Sequence, residues 1–221
     1  MPLDIDLSGR RALVTGGGNG VGTEIARVLV GCGAFVYVND IYEERAAKVA
    51  ADLGGDSVAA AVKADVTSPV KVRAMREATG PVDILVNNAG NPTSGFDLTH
   101  FVDTEPDDWE YLMRLNLGAI LHVTHSYVGS MVEGRWGRVV TIASDAGRKG
   151  ERGQAIYGSA KAGAMGFMRG LAAEVGPHGV TANCVSLGTM RTGPTADALE
   201  RDPDLERRLA RSYAVPRIGL P

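Results

Sequence analysis

Short runs of β-branched and apolar residues recur along the chain. Each gives way to a glycine-rich or polar turn and then to a longer stretch with apolar residues at helical spacing. The runs Arg11–Thr15, Ala34–Val38, Val58–Lys63, Val82–Val86, Arg138–Ile142 and Val180–Val185 read as strands. Several are almost unbroken apolar sequences, the pattern of strands covered on both faces. The stretches Gly20–Cys32, Tyr42–Leu53, Ser68–Thr79, Pro106–Glu133 and Ala155–Gly176 read as helices. Thr104 followed by Pro106 looks like a cap and a first-turn proline. Strand and helix alternate, which predicts a single α/β domain over residues 1–221 with a doubly wound parallel sheet. Past Val185 the rhythm changes to a turn-rich stretch and then a polar helix over Ala196–Ser212.

Composition narrows the function. The chain has 221 residues, 44% hydrophobic and 22% charged, the balance of a folded domain with a sizeable core. A net charge of -3 argues against nucleic-acid binding driven by phosphate neutralisation. The longest run free of charged and amide residues, Val28–Val38, is too short to cross a bilayer. The N-terminus, Met1–Asp6, is acidic where a secretory leader is basic, so the expected location is cytoplasmic. Cys32 and Cys184 are too few for a disulfide framework or a zinc site of their own. His122 and His125 lie three apart without an obvious carboxylate partner, and read as a helix face rather than a metal site.

Glycine alters the picture. There are 29 glycines, nearly twice the usual share of about 7%. Five of them fall in Thr15-Gly16-Gly17-Gly18-Asn19-Gly20-Val21-Gly22, between the first strand and the first helix. Such a turn is either a flexible connection or a cradle. In a cradle the backbone approaches a pyrophosphate, which meets the N–H groups and positive dipole end of the helix. The second strand leads into Asp40. A carboxylate there either caps the next helix or accepts hydrogen bonds from a ribose 2′-hydroxyl and repels a 2′-phosphate. Turn and acid together predict a bound dinucleotide.

The spacing is Gly-x-x-x-Gly-x-Gly, and further motifs follow in order: Asp65-Val66, Asn87-Asn88-Ala89-Gly90, Asn116, Ser144 and Tyr157-x-x-x-Lys161. With these motifs the chain resembles the short-chain dehydrogenase/reductase family, in its branch of about 250 residues, over essentially its whole length. The resemblance implies a Rossmann fold and a set of cofactor contacts. Gly16, Gly18, Asn19, Gly20 and Val21 would line the pyrophosphate and ribose, and Asp40 would hold the adenosine ribose. Asp65 and Val66 would meet adenine, Asn88, Ala89 and Gly90 would pass beside the ribose, and Thr192 would touch the nicotinamide carboxamide. Asp40, and Asn19 where NADP-binding members often have a basic residue, favour NAD over NADP. The resemblance also implies a homo-oligomer, tetramer or dimer, paired through Pro106–Glu133 and Ala155–Gly176.

Two departures stand out. Leu187 occupies the place of a proline, which leaves the turn before Thr192 less constrained. Family members also carry a further helix and strand beyond a segment like Val215–Pro221, so the fold expected here lacks those last two elements.

The chemistry follows from side-chain types. Moving a hydride between a secondary alcohol or ketone and nicotinamide requires proton transfer at the substrate oxygen. A phenol has an ordinary pKa of about 10 and needs a nearby cation to act as a base near neutrality. Lys161, four residues after Tyr157, shares its helix face. The pair is either a surface contact or, with Ser144 steadying the substrate oxygen and, as the resemblance implies, Asn116 helping to bind a water that connects Lys161 to solvent, a catalytic group. The rival readings are a 3-oxoacyl thioester reductase, a subgroup that Gln154-Ala155-x-Tyr157 resembles and that favours NADPH, and a non-catalytic scaffold. Specificity is expected in segments 91–105, 145–156 and 187–213, the last covering the substrate. Arg148, Lys149 and Arg152 are either a solvated loop or an attraction for an anionic substrate.

Overall fold

The computed structural model describes residues 5–90 and 99–221. The leader reading at residues 1–4 and the specificity reading at 91–98 lie outside the described residues. Six parallel strands form one sheet: β1 (Arg11–Thr15), β2 (Phe35–Asp40), β3 (Ala59–Lys63), β4 (Ile84–Asn87), β5 (Gly137–Ser144) and β6 (Val180–Leu187). Their order is β3-β2-β1-β4-β5-β6. The order reverses between β1 and β4, and in such sheets a ligand crevice opens at the carboxyl ends of the strands at that point.

Period-two alternation divides the core into two layers. Leu13 and Leu85 face one side with Val72, Met75, Tyr127, Met131 and Met168, supplied by α3 (Pro69–Thr79), α5 (Ala119–Glu133) and α7 (Ala155–Val175). Ala12, Val14, Ile84 and Val86 face the other side with Ala26 and Val49, from α1 (Gly20–Gly31) and α2 (Glu43–Asp52).

Three elements differ from the sequence expectation. Pro106–Glu133 is not one helix: α4 (Pro106–Met113) and α5 are separated by a π-helical turn, Arg114–Gly118. There the side-chain amide of Asn116 donates to the Leu112 carbonyl at 3.2 Å, competing with the backbone ladder. Thr104 does not cap α4. Glu105 does, in a capping box with Asp108, while the Thr104 hydroxyl receives Trp109 Nε1 at 2.7 Å. Ala196–Ser212 is two helices, α8 (Gly193–Arg201) and α9 (Pro203–Ala210). The residue before a proline is driven to extended geometry, and Asp202 adopts φ -134° and caps α9 through Asp204 and Leu205. A short α6 (Ala146–Lys149) was not apparent in the pattern. Trp136 sits at the turn before β5, stacked by Arg10 and Arg138.

Candidate active site

The glycine-rich turn is braced from β4. Thr15 Oγ1 accepts from the Asn88 and Ala89 backbone N–H groups at 3.0 and 3.2 Å. Asn88 Nδ2 donates to the carbonyls of Thr15 and Gly16, both at 3.0 Å. Gly16 has φ +61°, and a Cβ on it would stand 3.0 Å from Ala89 Cα, so only glycine fits. Asn88 therefore spends its side chain on holding the two turns together. Beyond the turn, Asn19 precedes α1 in extended geometry without a side-chain cap, and the first turn of α1 carries no acid. The positive end of the helix is thus left for an anion.

Asp40 is buried at the end of β2 and reaches back to that turn. Its Oδ2 accepts from Gly18 N at 3.2 Å and its Oδ1 from Tyr42 N at 3.0 Å. A Cβ on Gly18 would lie 2.5 Å from Asp40 Oδ2 and 2.8 Å from Arg45 Cβ. A carboxylate has lone pairs beyond these two bonds, so Asp40 retains capacity for hydroxyl donors. The Arg45 guanidinium lies over the Tyr42 ring at 4.3 Å. Asp65 and Val66 are less available than their motif implies. Asp65 Oδ1 takes Thr67 N and Oγ1, at 3.0 and 2.7 Å, and Val66 is packed into the core.

The second half of the site gathers around Gly90. β5 ends at Ser144, and α7 carries Tyr157 and Lys161 one turn apart. A Cβ on Gly90 would lie 2.8 Å from both Asn116 Oδ1 and Lys161 Nζ, so these two groups converge where only glycine leaves room. Lys161 is 3% exposed, and its ammonium donates to the Ile142 carbonyl at 3.0 Å. Burial pushes its pKa down to about 8, while the neighbouring Cys184 thiol pulls it up. Nζ lies 5.7 Å from the Tyr157 ring centroid. Burial holds the Tyr157 phenol above its ordinary range. A hydrogen bond with Ser144 draws it down, and the charge of Glu151 raises it further. The ligand-free chain thus keeps the phenol protonated.

Asn116 is fully buried, and its Oδ1 has no hydrogen-bond partner among the described residues. Such an orphan costs about 1–3 kcal/mol, so a donor is expected beside it.

α6 lies directly on α7: a Cβ on Gly158 would meet the Ala146 carbonyl at 2.9 Å. The loop after Ser144 is therefore fixed against the helix that carries Tyr157. Arg148 and Lys149 are both paired with Asp145, at 3.2 and 3.7 Å, which offsets the basic character expected of this loop. Thr192 stands before α8, and its Cγ2 would lie 3.1 Å from a Cβ on Gly20. The structure thus gathers Gly16, Gly18, Asn19, Gly20, Asp40 and Thr192 around the glycine-rich turn, and Asn116, Ser144, Tyr157 and Lys161 into a second cluster.

Sequence reading passed over two residues. Thr15 braces the cradle, and a hydroxyl closing the first strand was the available signal. Tyr213 contacts Gly188 and Thr189 from the C-terminal segment, a contact that no local pattern announces. Among the described residues no group of three or more His, Cys, Asp or Glu side chains is placed to hold a metal ion. Nor is any described helix long and apolar enough to cross a membrane.

Comparison with known proteins identifies the family. The family profile described as short chain dehydrogenase matches residues 10–203. Nodulation protein G of Rhizobium sp. (strain N33) is 37% identical over 194 residues, covering 86% of this chain and 77% of its own length. The 3-oxoacyl-(acyl-carrier-protein) reductase FabG of Salmonella typhimurium is 34% identical over 195 residues, covering 86% of this chain and 78% of its own. A crystal structure of ribose-5-phosphate isomerase from Brucella melitensis superimposes with a TM-score of 0.87 at 31% identity, over 98% of this chain and 83% of the other.

Proposed function

Because the chain belongs to the short-chain dehydrogenase family, an oxidoreductase family that uses nicotinamide cofactors, we propose that it interconverts a secondary alcohol and its ketone with NAD, using Tyr157 as general acid and base. One observation carries this reading. Asn116 and Lys161 converge on Gly90, Lys161 lies against the Tyr157 ring, and Tyr157 hydrogen-bonds with Ser144, while the glycine-rich turn follows β1 of the same sheet. The cradle fits the cofactor: a helix end without an acid, a turn in which only glycine fits, and a buried Asp40 with lone pairs to spare.

When bound, the dinucleotide supplies or accepts the hydride. The chain's own residues handle the proton and the oxygen. In reduction the protonated Tyr157 gives its proton to the substrate oxygen while Ser144 steadies the same oxygen. In oxidation Tyr157 must lose its proton first. The Lys161 ammonium, still present below about pH 8, favours that ionisation, and so would the positive charge of an oxidised nicotinamide. The orphan acceptor on Asn116 and the Lys161 ammonium beside it can share a water, which gives the proton an exit.

Asp40 favours NAD over NADP by repelling a 2′-phosphate. Arg45 beside it keeps a second reading in play: a 3-oxoacyl thioester reductase using NADPH, the activity named for the Salmonella relative. The isomerase name of the structural neighbour fits less well, since isomerisation between adjacent carbons does not require a diphosphate cradle. Exposed Tyr111, Met113 and Leu121 on α4 and α5 support a homo-oligomer paired through these helices.

The deciding experiment follows dinucleotide absorbance with a panel of secondary alcohols plus NAD or NADP, and with 3-oxoacyl thioesters plus NADH or NADPH. Turnover of alcohols with NAD supports the proposal, thioester reduction with NADPH supports the alternative, and no turnover in any arm contradicts both.

A further inference from the structure

The turn after β6 lies between the two halves of the site. Leu187, the last residue of β6, pairs in register with Ser144, and its carbonyl accepts from Asp145 N at 2.9 Å. Five residues on, Thr192 abuts the Gly20 end of the cradle. Any dinucleotide that lies in the cradle and brings its reactive ring to Ser144 and Tyr157 must pass this turn with its nicotinamide half. Yet no proline stands between β6 and Thr192 to restrict the chain.

The turn is held instead from the C-terminal segment. The Tyr213 hydroxyl accepts from Thr189 N at 2.5 Å and donates to Thr189 Oγ1 at 2.9 Å. Its ring fills the space that a side chain at 188 would need: a Cβ on Gly188 would stand 2.6 Å from Tyr213 Cε1. Three further ties run parallel to this one. Gly219 N donates to the Thr189 carbonyl at 3.0 Å, and Arg191 N donates to the Gly219 carbonyl at 2.9 Å. Arg191 pairs with Glu206 of α9 at 2.5 Å. Lys149 Nζ of α6 lies over the ring at 5.1 Å from its centroid, so the loop after Ser144 meets the same side chain.

We propose that Tyr213 is a positioning residue for the nicotinamide half of the cofactor: it holds turn 188–192 in place from outside. The inference rests on the dinucleotide reading above. It assigns Tyr213 no contact with substrate or cofactor. Its hydroxyl fixes Thr189, and through Thr189 the approach of Thr192 to Gly20.

The test compares two probes on wild type and Tyr213→Phe, which keeps the ring and removes both hydrogen bonds. ADP-ribose occupies the adenosine and diphosphate half alone, while NADH and NADPH also place the nicotinamide. Calorimetry is expected to show a Kd for the reduced dinucleotide that wild type prefers raised roughly tenfold, the scale of two lost hydrogen bonds. The Kd for ADP-ribose is expected to stay within about twofold. Gly188→Ala, whose Cβ would displace the ring, should give the same split and stands in if Tyr213→Phe does not fold.

Equal dinucleotide affinity in wild type and variants would overturn the inference. So would parallel weakening of both probes, the sign of general loosening. Wild-type protein that binds neither probe would overturn the dinucleotide reading, and this inference with it.

Discussion

Lys161 donates a hydrogen bond from its ammonium to the Ile142 carbonyl at 3.0 Å, from a position 3% exposed. The cation is kept out of water by α7 and anchored to β5, the strand that ends at Ser144, and burial brings its pKa from 10.5 to about 8. The sign follows. Between about pH 8 and 10.5 the unfolded chain still binds a proton that the folded chain has released, so this group makes unfolding harder as pH rises through that window. Below pH 8 both states hold the proton and its contribution is flat. Lys161→Met removes the slope. Urea unfolding of both proteins at pH 7 and pH 10 should show wild type gaining on the variant by up to about 3 kcal/mol. An unchanged difference would mean that the ammonium is not desolvated.

Cofactor choice should turn on Asp40. Asp40→Ala removes the acceptor of Gly18 N and Tyr42 N and leaves Arg45 beside the ribose end. The KM for NAD should rise roughly tenfold, the scale of one or two lost hydrogen bonds to a charged group, while the KM for NADP falls. Initial rates with both dinucleotides check it. An unaltered preference would place the selection elsewhere.

The cradle should depend on Thr15. Its hydroxyl oxygen accepts from two backbone N–H groups across the sheet, and Thr15→Val leaves both without that acceptor. Stability should fall by about 1–3 kcal/mol in urea unfolding, and dinucleotide affinity should weaken with it. Thr15→Ser, which keeps the oxygen, should lose markedly less.

How far the sequence could be read depended on the range of the forces involved. The strands were legible because short apolar runs bounded by glycine-rich turns are local signals. Tyr157 and Lys161 were legible because four residues on a helix make one face. The π turn at Arg114–Gly118 was not, since it comes from one side-chain amide competing with the ladder inside an otherwise regular helical pattern. The break at Asp202 was legible in principle from Pro203, but a polar helical composition on both sides masked it. The direction of the Tyr157 pKa in the ligand-free chain was not legible, because burial is its largest cause and only a packed structure reports burial. The packing of the Val66 side chain into the core was likewise not legible from its motif.

The central claim is that Tyr157 moves the proton. The most direct test is Tyr157→Phe, which removes one oxygen and keeps the ring, with kcat and dinucleotide Kd measured on the same preparation. kcat should fall by roughly 10²–10⁴-fold, the range of general acid–base catalysis, while the Kd stays within about twofold of wild type. A variant that binds the dinucleotide normally and turns over at the wild-type rate would contradict the account.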